Sequence, residues 1–384
     1  MLSRRCGWLS HVSDRTLLHL TTQAEWRAAL ETGAVVPASL AEVGFVHLST
    51  PDQVHLPAER LFAGRPDVVL LVVDPTRLDD PVRLEPGVPG DPASMRFPHL
   101  YGPLPTAAVV AVVPWRAGAP LDLPAVDDAW ARALALAVSV PTRRAAQVRD
   151  VPGGLAVLDP AFPHSRDDNR LLLTGATGAD EVAALTAQVA TDADWPMRTA
   201  TLLQPDAGPV ADELARRGWD VSPSLVLAHR GPFPAVADGP AEVVPQAAVH
   251  RLWERSWRRE LAVTGPALDD VVAQLVGREH RNDRVVQVTD LAVRADLGEG
   301  LEVVAALQLR VDGATASVES VLTDPHARRR GYADALLTAA LQRAESAGCD
   351  LVVLEAAALD WPRHWYARRG FAVVGRTFDV VRRR

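Results

Sequence analysis

Two stretches rich in proline, glycine and alanine interrupt this sequence. One is Arg116-Ala-Gly-Ala-Pro-Leu-Asp-Leu-Pro124; the other runs from Arg230 through Gly231-Pro-Phe-Pro234 to Gly239-Pro240. Neither carries an apolar period, so both read as linkers. A chain of 384 residues also exceeds the size at which one core stops growing, about 250–300 residues. Three domains are therefore expected, at 1–118, 119–235 and 236–384, each long enough to bury a core.

Composition removes several classes of function. Apolar residues make up 48% and charged residues 23%, the balance of an ordinary globular protein. No run of about 18 uninterrupted apolar residues occurs, so no membrane span is expected. Met1 to Arg15 lacks the apolar stretch of a signal peptide and reads as a frayed leader, which makes a cytoplasmic location the expectation. A net charge of −8 argues against general nucleic-acid binding, which needs a basic surface. Cys6 and Cys349 stand far apart and form neither a disulfide framework nor a metal site, and no metal is expected. All forty basic residues are arginine, so no lysine can serve as base, Schiff-base former or self-acetylation target.

The last segment reads most clearly. The spacing of Leu252, Trp253, Ser256 and Trp257 predicts a helix over Val249–Leu261. Val303–Val311 and Ala316–Leu322 are apolar strands around Asp312-Gly313, a hairpin turn signal. A basic loop follows, then a helix over Tyr332–Ala347 stopped by Gly348. Leu351–Leu354 is a buried strand, Pro362–Arg369 a helix, and a last strand begins at Phe371. This is an α/β order.

The basic loop, Thr323-Asp-Pro-His-Ala-Arg328-Arg329-Arg330-Gly331-Tyr332-Ala333, carries the chemistry. A helix start offers unpaired N–H groups and the positive end of the macrodipole, which suits a pyrophosphate. Gly331 lets the backbone approach a ligand, Ala333 keeps the first turn narrow, and the arginines add charge-assisted hydrogen bonds. Three arginines alone would read as a solvated run; their place between a strand and a helix favours a ligand. The glycine spacing is that of neither a Walker loop nor a dinucleotide fingerprint.

Arg328-x-x-Gly331-x-Ala333 resembles the Q/R-x-x-G-x-G/A signature of the GNAT acetyltransferases. Trp365-Tyr366-Ala-Arg-Arg-Gly370-Phe371 is similar to that superfamily's second landmark, a tyrosine four residues before Gly-Phe. Between them, Asp360-Trp361-Pro362 resembles a subgroup of bacterial members, and the resemblance covers about Ala241 to Arg384. It implies acetyl-CoA as co-substrate, held by Val321, Leu322, Thr323, Arg328, Arg329, Arg330, Gly331, Tyr332 and Ala333. The pantetheine would lie where the strand Ala316–Thr323 splays from Leu351–Glu355, and a backbone N–H near Val321 would polarise the thioester carbonyl. Tyr366 falls where the family keeps its general acid. Glu319 is the candidate base, although the family's glutamate often sits where this chain has Ser317, and Glu319 alternates imperfectly with Val318 and Val321. Glu355 and Asp360 are candidates to draw in a cationic acceptor, or else a strand end and a helix cap.

The middle segment repeats this order in eroded form. Trp130–Val138 is helix-like, and Arg216-Arg217-Gly218-Trp219 echoes Arg368-Arg369-Gly370-Phe371. Leu202 to Gly208 lacks a basic phosphate loop and no tyrosine precedes Gly218, so the segment resembles a degenerate GNAT half of a tandem protein. Such a half would shape the acceptor pocket, with Phe162, His164, Asp167, Asp168 and Asn169 as candidate lining.

In the first segment three runs stand out: His19-Leu20-Thr21, Phe45-Val-His47-Leu48-Ser49-Thr50, and Phe97-Pro98-His99-Leu100-Tyr101-Gly102-Pro103-Leu104. Thr22 fits the cap of a helix bearing Glu25, Trp26 and Leu30, and Val68–Val73 is an unbroken apolar strand. From about Thr16 to Pro114 the chain resembles the bacterial domain of unknown function 952, whose fold is similar to that of ADP-ribosyltransferases. The resemblance makes His19, Thr21, His47, Ser49, His99 and Tyr101 a candidate pocket. Glu85 is a late carboxylate in an unusual context, and the histidine spacing matches no metal motif.

The fold class expected is mixed α+β and α/β: an ADP-ribosyltransferase-like domain followed by two GNAT folds. The leading function is N-acetyl transfer to a small-molecule or peptide amine by direct attack, from a monomer or homodimer. The alternatives are a non-catalytic acyl-CoA-binding regulator and a nucleotide- or NAD-binding activity in the first domain.

Overall fold

The computed structural model describes residues 16–87, 95–233, 239–261, 264–298 and 300–383. The leader and Cys6 lie outside them. In the N-terminal domain, strands β1 (Leu17–Thr22), β2 (Val68–Val73) and β3 (Val109–Pro114) form an antiparallel sheet with β2 in the middle. All six residues of β2 are buried, which is why its apolar run has no alternation. Helix α1 (Gln23–Thr32) starts at the expected cap, Thr22, and Glu25 makes it a reciprocal capping box: Glu25 N–H donates to the Thr22 hydroxyl, and Thr22 N–H donates to the Glu25 carboxylate at 2.9 Å. It buries Trp26 and Leu30 against the sheet.

The rest of the chain builds one eleven-stranded sheet. The middle segment supplies helix α2 (Ala129–Arg144), strands β4 (Gln147–Val151), β5 (Gly154–Leu158) and β6 (Arg170–Leu173), helix α3 (Ala179–Asp192), strand β7 (Met197–Leu202), helix α4 (Ala207–Arg216) and strand β8 (Asp220–Arg230). The last segment supplies β9 (Glu242–Val244), α5 (His250–Glu260), α6 (Pro266–Gly277), β10 (Gln287–Asp296), β11 (Leu301–Asp312), β12 (Thr315–Thr323), α7 (Tyr332–Ser346), β13 (Leu351–Ala357), α8 (Pro362–Ala367) and β14 (Ala372–Arg383). The sheet runs β9-β10-β11-β12-β13-β8-β14-β7-β6-β5-β4.

The repeat read from the sequence is visible in this order. Antiparallel β11–β12 and parallel β12–β13 correspond to antiparallel β5–β6 and parallel β6–β7. Gly218 and Gly370 both adopt positive φ (80° and 86°) at a helix end, where any side chain would strain the backbone. Each is followed by a buried aromatic whose N–H bonds back by five residues, Trp219 to Leu214 and Phe371 to Tyr366. Leu214 thus stands where the last segment has Tyr366. One correspondence is corrected. The counterpart of the basic loop is the turn between β6 and α3, residues 174–178, rather than Leu202–Gly208. It carries no arginine, and the first turn of α3 is acidic, with Asp180 and Glu181.

The two halves exchange their final strands. β8 pairs with β13 of the last segment, and β14 pairs with β7 of the middle one, so that β8 and β14 lie side by side. A cut near residue 235 therefore separates chain segments, yet each segment's last strand belongs to the other's part of the sheet.

The N-terminal domain is seated on the β11–β12 hairpin. Its turn is Gly313-Ala314, flanked by the pair Asp312↔Thr315. Gly313 has φ 79°, and a Cβ there would sit 2.3 Å from Val109 O of β3. Ala314 N–H donates to the same carbonyl at 2.7 Å, and the Thr315 hydroxyl to Val110 O at 2.7 Å. Trp26 Nε1–H donates to Asp312 at 2.7 Å, and Asp312 also pairs with Arg143 of α2, so one buried carboxylate ties all three segments. This junction lies at the end of β12 remote from the basic loop. Cys349 is buried beside it, and burial pushes its thiol up to about 12, which leaves it unreactive. Within the last segment, α7 packs buried Leu336, Leu337 and Leu341 on the sheet, each contributing about 1.5–3 kcal/mol. Among the described residues, no helix is long and apolar enough to cross a membrane.

Candidate functional site

β12 and β13 are paired at only three positions, Thr315↔Leu351, Ala316↔Val352 and Ser317↔Val353. Beyond these β12 stays with β11 and β13 stays with β8 (Glu355↔Val226), so the two strands part. The cause is local. Between Glu319↔Gln308 and Leu322↔Ala306, two residues of β12 oppose Leu307 alone. This bulge holds Ser320 at φ 52°, a conformation costing about 1–2 kcal/mol for a residue with a side chain. It also accounts for the imperfect polar–apolar pattern at Glu319, because the extra residue interrupts the period of two between Glu319 and Leu322.

At the far end of β12 the chain makes a short turn, Pro325–Ala327, in which His326 N–H donates to the Asp324 carboxylate at 3.0 Å and Ala327 is buried. Arg329 and Gly331 follow with φ 62° and 77°. No protein atom lies within 4 Å of where a Cβ on Gly331 would sit, so the constraint there is backbone conformation rather than crowding. The first α-helical hydrogen bond runs from Ala335 N–H to Gly331 O (3.0 Å), leaving the N–H groups of Tyr332, Ala333 and Asp334 ahead of it. Arg328, Arg329 and Arg330 are exposed around this helix start. Positive charge, forward-pointing N–H groups and a parted sheet in one place fit a diphosphate with an extended tail.

Behind the split lies a cavity of about 450 Å³. Its walls come from both halves: Ser317, Glu319, Ser320 and Leu322 of β12, Glu355 of β13, Thr377 and Asp379 of β14, Trp253, Trp257 and Glu260 of α5, and Trp130 and Arg144 of α2. The exchanged strand β14 is what brings Asp379 here. Glu355 is exposed toward this space, within walls that keep bulk solvent partly off its carboxyl. Burial first, then the negative charges of Asp379 and Glu319, push its carboxyl up to about 7, against the pull of Arg170 and with a further push from Asp167. Tyr366, on α8, packs in the core beside Trp365 and Phe371 (ring centroids 4.7 and 5.7 Å) and is 7% exposed. Burial and the charge of Glu319 push its phenol up to about 12, so it holds its proton at neutral pH. Glu319 therefore acts electrostatically on both Tyr366 and Glu355.

The remaining expectations are placed as follows. Val321, Leu322 and Thr323 lie on the parted stretch of β12. Asp360 precedes the cap of α8 by one residue, its carboxylate accepting from Trp361 N–H at 2.7 Å. Of the middle-segment stretch, Asp167 lines the cavity, paired with Arg278 at 2.8 Å. The others build the loop itself: Asn169 accepts from Asp159 N–H (2.9 Å), Asp168 pairs with Arg144 (3.1 Å), Phe162 lies under Arg281, and His164 N–H reaches Gln274. Sequence reading did not single out Glu260 or Asp379 and gave Glu355 no part as a base. Those carboxylates converge only through the exchanged strand and the docking of α5.

In the N-terminal domain four of the six candidates cluster. Phe45 stacks on His99 (3.9 Å, 9°), His47 stands edge-on to His99 at 5.1 Å, and His19 Nδ1 lies 2.8 Å from His47 O. Tyr101 O–H donates to Glu85 at 2.7 Å, and Glu85 lies 3.4 Å from His99 Nδ1, so the late carboxylate does join the group. Buried His99 Nε2 has no hydrogen-bond partner among the described residues. Thr21 instead donates to Glu25, and Ser49 forms a backbone bridge with Leu18. Burial lowers the pKa of His19, His47 and His99, for His47 with repulsion from the other two. Their neutral forms contribute stability that is complete above about pH 6.5 and lost as pH falls through the lowered values. The melting temperature of the full chain should therefore fall less steeply below pH 6.5 in His47→Gln than in the parent. Parallel curves would refute the neutral assignment. Among the described residues no group of three or more His, Cys, Asp or Glu is arranged to hold a metal.

Residues 242–371 match the family described as acetyltransferase (GNAT) family, and residues 20–112 match the family described as protein of unknown function (DUF952). Among curated proteins none matches the chain. Three solved structures are similar to parts of it. A GNAT acetyltransferase structure from Novosphingobium aromaticivorans is 20% identical, covers 59% of this chain and 86% of its own, and has a TM-score of 0.38. A tandem GNAT protein from the clavulanic acid biosynthesis pathway is 17% identical, with coverages of 56% and 75% and a TM-score of 0.39. A Caulobacter crescentus protein is 31% identical over 27% of this chain and 89% of its own, with a TM-score of 0.24.

Proposed function

Residues 242–371 of this chain belong to the GNAT acetyltransferases and residues 20–112 to the DUF952 family, and on that premise we propose that the protein moves acetyl from acetyl-CoA to an amine held in the cavity behind β12 and β13. The observation that carries this reading is the coincidence of the basic helix start, the parted strands and a cavity whose carboxyl titrates near neutrality. Arg328, Arg329, Arg330 and the N–H groups at the start of α7 would hold the diphosphate, and Val321, Leu322 and Thr323 would flank the tail. When bound, the coenzyme supplies an activated acyl carbon.

An amine attacks only with its lone pair free, so the ammonium must first lose a proton. Glu355, half ionised near pH 7, takes it. Glu319, on the bulged strand, holds the amine toward the gap. The backbone at the bulge, where Ser320 and Val321 leave the regular ladder, turns an N–H toward the acyl oxygen. Tyr366 would give its proton to the departing sulfur, and the proton that the nitrogen sheds as it becomes an amide would restore the phenol; burial keeps the phenol protonated between turnovers. The middle half, with Leu214 in place of Tyr366 and acids at its helix start, does no transfer and instead walls the cavity.

Purified full-length protein with acetyl-CoA and a panel of amines should release free thiol. Tyr366→Phe should slow release by about 10²-fold, the low end for proton transfer because a thiolate leaves readily, while coenzyme affinity stays unchanged. An unchanged rate would remove Tyr366 from the mechanism. Coenzyme binding without release by any amine would favour a regulatory role for the domain. For the N-terminal domain, the unpartnered His99 Nε2 beside stacked Phe45 supports a ligand pocket in His19, His47, His99 and Tyr101. The ADP-ribosyltransferase-like reading makes NAD and nucleotides the first ligands to screen. A bound one raises the melting temperature, and no shift with any of them would leave that reading without support.

A further inference from the structure

The charges around the cavity do not balance, and the imbalance describes the acceptor. Four arginines line it, and each is already committed: Arg278 to Asp167 (2.8 Å), Arg310 to Glu279 (2.7 Å), Arg144 to Asp168 (3.1 Å) and Arg170 to Asp167 and Asp379 (both 3.6 Å). Glu260, Glu319 and Glu355 also line it, and none of them has an ion-pair partner among the described residues. Glu260 accepts only the Ser256 hydroxyl, at 2.8 Å. These three carboxylates come from three different elements, α5, β12 and β13, so no single element's solvated face explains them.

The transfer cancels one charge only. The reacting ammonium gives its proton to Glu355, which becomes neutral, and the nitrogen becomes an uncharged amide. Glu260 and Glu319 then still line the cavity without an ion-pair partner among the described residues. A monocationic acceptor would leave exposed Glu260 and half-buried Glu319 without a counter-charge and repelling one another across the cavity, which is a cost. A second cation on the acceptor, untouched by the reaction, removes that cost. The wall beside them suits such a group. Trp253, Trp257 and Glu260 follow one another at helical spacing on α5, giving two indoles that end in a carboxylate. Indole faces attract organic cations and also cover an apolar body. Trp253 is 5% exposed, and its indole N–H has no partner among the described residues. A volume of about 450 Å³ suits a small molecule.

We infer that the acceptor is a small organic dication: one primary amine that is acylated and a second, permanently charged amine or guanidine on an apolar body, seated between Glu260, Glu319 and the indoles of α5. The inference rests on the acetyl-transfer reading for its choice of reacting amine, but the cavity's preference for two charges can be measured without any transfer. Isothermal calorimetry on the full-length protein, without acetyl-CoA, should show 1,4-bis(aminomethyl)benzene binding at least about tenfold tighter than benzylamine at low salt. The gap should narrow as ionic strength rises. In Glu260→Gln the ratio of the two affinities should fall toward one. If that variant does not fold, the salt dependence of the ratio in the parent serves the same purpose. Equal affinities, or no binding of either amine, would overturn the inference. Thiol release measured in parallel separates the two claims: release with benzylamine as fast as with the diamine would leave the transferase standing and remove the dication.

Discussion

Glu355→Gln is expected to lower kcat/KM for acetyl transfer by about 10²–10⁴-fold at neutral pH and to erase the rise in rate across pH 7. Glu355 points from β13 into the cavity, where burial, Asp379 of the exchanged strand and Glu319 of the bulged strand all disfavour its charge, and Arg170 only partly offsets them. A carboxyl brought up to about 7 is a competent base at the pH where it is half ionised. Activity should therefore climb as pH rises through 7, because the base form accumulates. Stability should move the other way. The folded carboxyl binds a proton that the unfolded one, at about 4.3, has already lost. This group therefore favours the native state most at low pH, and that contribution declines as pH rises from roughly 4 to 7. The glutamine variant should accordingly be slower than its parent yet no less stable at pH 8. Asp379→Asn, which removes the largest of the three repelling charges, should shift the rate limb to lower pH. A pH–rate profile and melting curves at pH 5 and 8 test the whole set. A limb near pH 7 that survives in Glu355→Gln would assign the titration to another group.

Arg132→Met should destabilise the chain by about 1.5–3 kcal/mol, the loss of charge-assisted hydrogen bonds from a buried guanidinium, because Asp350 itself is partly exposed and keeps Arg77 as a partner. Arg132 is 1% exposed within α2. Its guanidinium reaches Asp350 (2.7 Å), the Thr315 hydroxyl (2.8 Å), Ala314 O (3.1 Å) and Val126 O (3.3 Å). Asp350 also receives Arg77 of the N-terminal domain at 3.2 Å. The one side chain thus fastens the middle segment to the hairpin turn on which the first domain sits. Denaturant unfolding of parent and variant measures the difference. A loss below about 1 kcal/mol, the level of an exposed pair, would show that the network contributes little.

How much of this was legible in the sequence follows from which features are local. The capping box at Thr22 and Glu25, the stop at Gly348, the strand run Val68–Val73 and the hairpin around Gly313 each depend on a few neighbouring residues, so their residue types announce them. The basic loop belongs to the same class. Helix boundaries were less exact: α2 continues to Arg144, past the expected Val138, because the tertiary contacts of Arg143 and Arg144 hold its last turn. The counterpart of the basic loop in the middle half was misplaced, since without arginines no chemical signal marked it.

By itself the sequence determined the eroded repeat, the family resemblance of the first and last parts, and a basic loop ahead of a helix. Each is written in short-range pattern, where spacing alone constrains backbone and charge. Only the tertiary structure decided that the halves trade their last strands, that a bulge at Ser320 parts β12 from β13, and that Glu260, Glu319, Glu355 and Asp379 share one cavity. Those residues come from elements up to about 120 positions apart. A carboxyl's proton affinity depends on which charges lie within a few ångströms, and that is a property of packing that no run of neighbouring residues contains.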